Sequence, residues 1–95
     1  MRILLAEDEK SLARAIVTIL KKHNYEADAV YNGEDALAYL QSGNYDAAIL
    51  DIMMPGMSGI DVLIKARESG IALPILLLTA KSEVRDKVAG LDSGA

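Results

Sequence analysis

The chain is predicted to fold as one α/β domain built on a doubly wound parallel sheet, and three observations predict it. Ile3-Leu4-Leu5-Ala6, Ala47-Ala48-Ile49-Leu50 and Ile75-Leu76-Leu77-Leu78 are unbroken apolar runs of strand length, the pattern of strands covered on both faces. Longer segments with apolar residues at helical spacing separate them. The resulting order, β-α-β-α-β-α-β-α, forms a parallel sheet with right-handed crossovers, so the helices fall on both faces.

In chain order, the first run is strand one. Ser11 to His23 then carries Leu12, Ile16, Ile19, Leu20 and His23 at helical intervals, and this stripe is expected to face the sheet. Tyr25 to Tyr31 places Glu26 and Asp28 at alternate positions, which suits a strand at a sheet border. Glu34 to Gln41, with Leu37 and Leu40, is a second helix stopped by Gly43-Asn44. After the third strand, Ser58 to Glu68 is a third helix, capped by Ser58 and stopped by Ser69-Gly70. The fourth strand leads into an expected fourth helix from Ser82 to Leu91, which Gly90 or Gly94 ends. Residues 1–95 make a single domain, without repeat, low-complexity tract or linker.

Composition narrows the function. At 95 residues, 52% hydrophobic and 25% charged, the chain is too apolar for a disordered segment, and no apolar run approaches the roughly 18 residues that span a bilayer. A soluble cytosolic protein without membrane contact is expected, since Met1 to Ala6 is too short for the core of a secretory signal. The net charge is −4 and the basic residues are scattered, which argues against direct nucleic-acid binding. With no cysteine, disulfides, thiolate-bound metals and a cysteine nucleophile are excluded. Four Tyr are the only aromatic residues, so the core is aliphatic.

In a doubly wound sheet the ligand site lies beyond the carboxyl ends of the strands, where strand order reverses. There the sequence places Glu7-Asp8-Glu9 after strand one, Asp51 after strand three and Thr79-Ala80 after strand four. If strands one and three are neighbours, Glu7, Asp8 and Asp51 share a small pocket, and their repulsion calls for a cation. Mg²⁺ fits, because it takes one or two carboxylates and keeps waters for phosphate oxygens. Beside that ion Asp51 is a candidate nucleophile for an acyl phosphate, with Thr79 as a hydroxyl donor and Ala80 leaving the approach open. The Pro55 and Gly56 turn after Asp51 is placed to aim a backbone carbonyl at the metal. Quieter readings exist for single residues: Glu7 and Glu9 as acids favoured at a helix N-terminus, Asp8 as an N-cap, Thr79 as an ordinary strand-end residue. His23 is read as structural, and Met53, Met54 and Met57 as loop packing and a partner-facing surface.

Glu7-Asp8, the stretch Leu50-Asp51-Ile52-Met53-Met54-Pro55-Gly56-Met57-Ser58-Gly59, and Leu78-Thr79-Ala80 together resemble the receiver domain of bacterial response regulators, in register from Met1 to Ala95. The resemblance implies a flavodoxin-like fold and a switch more than an enzyme, one that catalyses its own phosphorylation and dephosphorylation. It implies Asp51 as phosphoacceptor, Mg²⁺ held by Asp8, Asp51 and the Met53 carbonyl with Glu7 assisting through water, and Thr79 as the switch hydroxyl. The implied partner is a sensor histidine kinase, and the implied parent carries a DNA-binding effector of the winged-helix class. Met53 and Lys81 hold positions that in similar receivers tune the lifetime of the phosphoryl group.

Receivers have five strands and five helices, whereas this sequence covers four of each, (βα)4 rather than (βα)5. The fifth strand, its phosphate-contacting lysine and the last helix are expected beyond it. The fourth strand is then an edge, and Ala13, Ala15 and Val17 widen the apolar belt of the first helix; both features predict self-association. Three rivals remain. An aspartyl-phosphate hydrolase needs an acid two residues after the nucleophile, where Met53 stands. A flavin-binding domain needs a phosphate loop where three acids stand. An interaction module of the same fold, independent of phosphorylation, is the third.

Overall fold

A computed structural model of the chain describes residues 1–78. Seven elements follow in order: β1 (Arg2–Ala6), α1 (Lys10–Lys22), β2 (Glu26–Val30), α2 (Gly33–Ser42), β3 (Ala47–Asp51), α3 (Gly59–Glu68) and β4 (Ile75–Leu78). The strands form one parallel sheet in the order β2-β1-β3-β4. From β1 the chain steps outward to β2, then crosses back to β3 on the other side of β1. The reversal therefore lies between β1 and β3, with Ala6 opposite Leu50 and Asp51 opposite Leu78. The expected fourth helix, Ser82 to Leu91, falls outside the described residues.

Period-2 alternation divides the core. Leu4, Ala6, Ala48, Leu50, Ile75 and Leu77 point to one face and pack with Ala36 and Leu40 of α2 and Val62, Leu63 and Ala66 of α3. Ile3 and Leu5 point to the other face, toward α1. Placing helices on both faces covers the apolar strands from both sides, as their composition requires.

The helix ends follow from local chemistry. The Ser58 side chain accepts from the Asp61 amide at 3.2 Å while Asp61 accepts from the Ser58 amide, a capping box that starts α3. Two helices stop with the same device: Ile71 N–H donates to Ala66 after α3, and Tyr25 N–H to Leu20 after α1, with Gly70 (φ +84°) and Asn24 (φ +67°) in the left-handed conformation that this motif needs. Asn32, which the sequence reading passed over, caps α2 by accepting from the Asp35 amide at 2.7 Å.

The inward face of α1 is corrected. Ala13 is its buried residue, whereas Leu12 and Ile19 are 42% and 56% exposed. The inward side is formed by Ala13 with the half-buried Ile16, Val17 and Leu20, so part of the expected stripe does face the sheet, and the helix is turned so that its Leu12 and Ile19 edge is left in solvent. The expected border position of the Tyr25–Tyr31 segment is found: among the described residues β2 ends the sheet, although the strand runs only from Glu26 to Val30. Among the described residues β4 borders the opposite side, and an open apolar hollow of about 250 Å³ lies between it, β3 and Ile3.

Candidate functional site

Parallel pairing of β1 with β3 brings their carboxyl ends to one level, so Glu7 and Asp8 follow β1 where Asp51 ends β3. One carboxylate oxygen from each of Glu7, Asp8 and Asp51 lies within 4.8 Å of the others. Glu7 and Asp51 are only 5% and 3% exposed, while Asp8 is open to solvent at the mouth. The Asp8 N-cap reading fails: Glu9 holds the cap position of α1, without a side-chain cap bond, and the first turn of that helix has no acid.

Backbone donors orient the two buried acids. The Met53 amide donates to Asp51 Oδ1 at 3.3 Å, and the Glu9 amide to a Glu7 carboxylate oxygen at 3.0 Å. Neither donor neutralises a full charge. Burial, reinforced by Asp51 and Asp8, lifts the Glu7 carboxyl from its ordinary 4.5 to about 7, against the opposing pull of the Glu9 amide. Burial first and then Asp8 likewise raise Asp51 above the usual carboxylate range, with the Met53 amide opposing. An all-oxygen, all-acid donor set under this strain suits a hard divalent cation.

The turn that follows Asp51 is fastened from three sides. Ile52 N–H donates to the Leu78 carbonyl at 2.7 Å, and Gly59 N–H returns to the Ile52 carbonyl at 3.0 Å. A β-carbon on Gly59 would fall inside contact distance of the Asp51 carbonyl, and one on Gly33 would meet the Met57 carbonyl oxygen, with the Met57 β-carbon at 2.7 Å. These two close approaches dock the turn on α3 and on the start of α2, and neither was visible in the sequence because each partner is distant in the chain or defined by backbone. Gly56, at φ +73°, makes the reversal itself. Met54 is buried in the core, as loop packing requires, and Met53 is 66% exposed. Thr79 and Lys81 lie outside the described residues.

A family model described as "Response regulator receiver domain" matches residues 3–95. The chain belongs to the response regulator receiver family. Its relatives include the transcriptional regulatory protein DltR of Streptococcus agalactiae, 50% identical over 95 residues, and the transcriptional regulatory protein PcoR of Escherichia coli, 46% identical over 94. These alignments cover 100% and 99% of this receiver but 42% of each relative, so the chain spans less than half the length of the curated relatives it matches. Among solved structures, a response regulator receiver domain from Francisella superposes with a TM-score of 0.88 at 32% identity, over 99% of this chain and 78% of that one. The response regulator TrrA of Thermotoga maritima, solved in complex with Mg²⁺-BeF, superposes with a TM-score of 0.82 at 42% identity, over 93% and 76%. The parallel sheet with helices on both faces is thus the flavodoxin-like receiver fold that the sequence predicts.

Proposed function

We propose that Asp51 is the phosphoacceptor of this receiver and that Glu7, Asp8, Asp51 and the Met53 carbonyl form its Mg²⁺ site. The observation that carries the reading is the convergence of three carboxylates within 4.8 Å at the β1/β3 reversal, two of them buried. One Asp51 carboxylate oxygen attacks the phosphorus of the donor, the bond from phosphorus to the donor's leaving atom breaks, and that electron pair departs with the leaving group, giving an acyl phosphate. Mg²⁺, when bound, offsets charge on the transferring phosphoryl oxygens. The Met53 amide holds Asp51 by Oδ1, the buried Glu7 would give up its proton to a cation in the pocket, and Asp8 stands at its mouth. Thr79, next in sequence to the Leu78 that pairs with Asp51, is the proposed switch hydroxyl.

By the same reading the phosphodonor is a sensor histidine kinase and the output is a DNA-binding effector in a longer parent, since the relatives named above are transcriptional regulatory proteins of more than twice this length. The reading makes the receiver a cytoplasmic switch rather than an enzyme, with DNA and membrane contact outside its role. Among the described residues no helix is long and apolar enough to cross a membrane. Self-association through β4 and α1 belongs to the same reading, and the exposed Leu12 and Ile19 of α1 support it; a monomeric mass by light scattering across a concentration series overturns it.

Intact-mass spectrometry after incubation with Mg²⁺ and acetyl phosphate tests the central assignment. The expected result is a gain of one phosphoryl mass that Asp51→Ala abolishes. A gain that survives Asp51→Ala, or no gain even in a chain extended through a fifth strand and helix, rejects it.

A further inference from the structure

On the side of α1 away from Leu12 and Ile19, Lys10, Arg14 and Lys21 line a groove of about 360 Å³ against β2, with Ala27, Ala29 and Tyr31 on its other wall. The spacing of the three cations puts them on one helical face. None of them is in an ion pair among the described residues, although the chain carries a net charge of −4; Lys10 rests over the Tyr31 ring at 5.1 Å. Among the described residues β2 is a border strand, paired only with β1. Its Glu26 amide donates inward to Met1 and its Val30 carbonyl accepts inward from Glu7. By alternation, the N–H and C=O groups of Ala27 and Ala29 point outward from the sheet. The two residues whose methyl groups line the groove thus also present the unpaired backbone.

We propose that the α1/β2 groove is a docking site for an extended, acidic segment of a partner polypeptide, which adds as a strand to β2. Every second side chain of such a strand lies beside Ala27 and Ala29 on the face that α1 covers, toward Lys10, Arg14 and Lys21, and is therefore Asp or Glu. The intervening side chains lie on the face of Glu26 and Asp28 and are neutral or basic. Strand addition uses the outward amides for affinity and the alternating side chains for selection. A nucleic-acid backbone would satisfy the cations but leave those amides unused. A second copy of β2 is disfavoured, because joining two such borders into one continuous sheet sets Glu26 and Asp28 of one against those of the other.

The test uses a labelled seven-residue peptide with Glu at alternate positions and Thr between, read by fluorescence anisotropy and by amide shifts of the ¹⁵N-labelled chain. Saturable binding is expected, weakened by 0.5 M salt, with the largest shifts at Ala27 and Ala29. Arg14→Glu with Lys21→Glu is expected to weaken it at least tenfold at unchanged circular dichroism. The same peptide N-methylated at alternate amides, which keeps every charge, is expected to lose at least tenfold on the unaltered protein. Absence of binding overturns the proposal, as does equal affinity for the N-methylated peptide. An oligonucleotide of equal charge that shifts the same amides with equal affinity reassigns the groove to polyanions and overturns it too.

Discussion

The two ends of the sheet handle the same chemical group in opposite ways. At the carboxyl end, Glu7, Asp8 and Asp51 face one another with backbone amides as their neighbours, and Glu7 and Asp51 are pushed up in pKa. Toward the amino end, the mid-strand Asp28 accepts from Tyr45 Oη at 2.7 Å and from the Arg2 guanidinium at 2.9 Å, and these bonds, the Tyr45 one first, hold its carboxyl below the usual range. Arg2 also lies 5.2 Å from the centre of the Tyr45 ring, and its amide donates to Asp46 at 2.7 Å. Buried acids without a cation destabilise the fold and ask for a ligand; acids with built-in partners stabilise it and ask for nothing. The comparison separates a site from a structural cluster without appeal to motif.

The contrast is sharpest at Asp51. Asp51→Asn is expected to bring phosphoryl gain below detection and to remove most of the rise in melting temperature that Mg²⁺ gives the unaltered receiver, measured by intact mass and by thermal denaturation with and without the ion. Asp28→Asn at the other end is expected to leave both Mg²⁺ effects in place. Next in size is Gly59→Ala, whose new β-carbon collides with the Asp51 carbonyl. It should cost about 2–3 kcal/mol, as overpacking does, visible as a lower urea midpoint with an unchanged slope.

The pH dependence of the two ends has opposite sign. Glu7, raised from 4.5 to about 7 in the fold, favours the folded state most when protonated, so without divalent ions its contribution is lost as pH rises from about 4.5 through 7. Glu7→Gln removes this loss, and a melting temperature at pH 8 about 4–8 °C above the unaltered chain corresponds to roughly 1 kcal/mol. A melting temperature unchanged by Glu7→Gln from pH 5 to 8 would contradict the strained-acid description. Asp28, held below its ordinary 3.8, contributes stability above that value that is lost as pH falls through the lowered one. Tyr45→Phe, the smallest effect, is expected to cost about 0.5–1.5 kcal/mol at pH 7 and to move the onset of acid unfolding upward.

Much of the fold was legible because its signals are local. Unbroken apolar runs marked three strands, alternate acids marked β2 as a border, and Ser58 and Gly70 marked the ends of α3 to within a residue. The inward side of α1 was read only in part, because periodicity locates a stripe but not its rotation on the sheet: Ile16 and Leu20 of the stripe turn inward with Ala13, while Leu12 and Ile19 stay in solvent. Of the site, Glu7, Asp8 and Asp51 were legible as acids following strands, given only that β1 and β3 are neighbours. The Gly33 and Gly59 contacts were not, because what they touch is a backbone carbonyl brought in by the turn.

By itself, then, the sequence determined the alternation of strands and helices, the strand ends that carry acid, and a family resemblance that the comparisons bear out. Those follow from residue type and spacing along the chain. Only the tertiary structure decided which acids lose water and which keep it, which gain partners from 17 and 26 residues away, and which edge of β2 and face of α1 form a groove. Desolvation and hydrogen bonding depend on what the fold brings near, and Asp51 and Asp28, alike in sequence, differ for that reason alone.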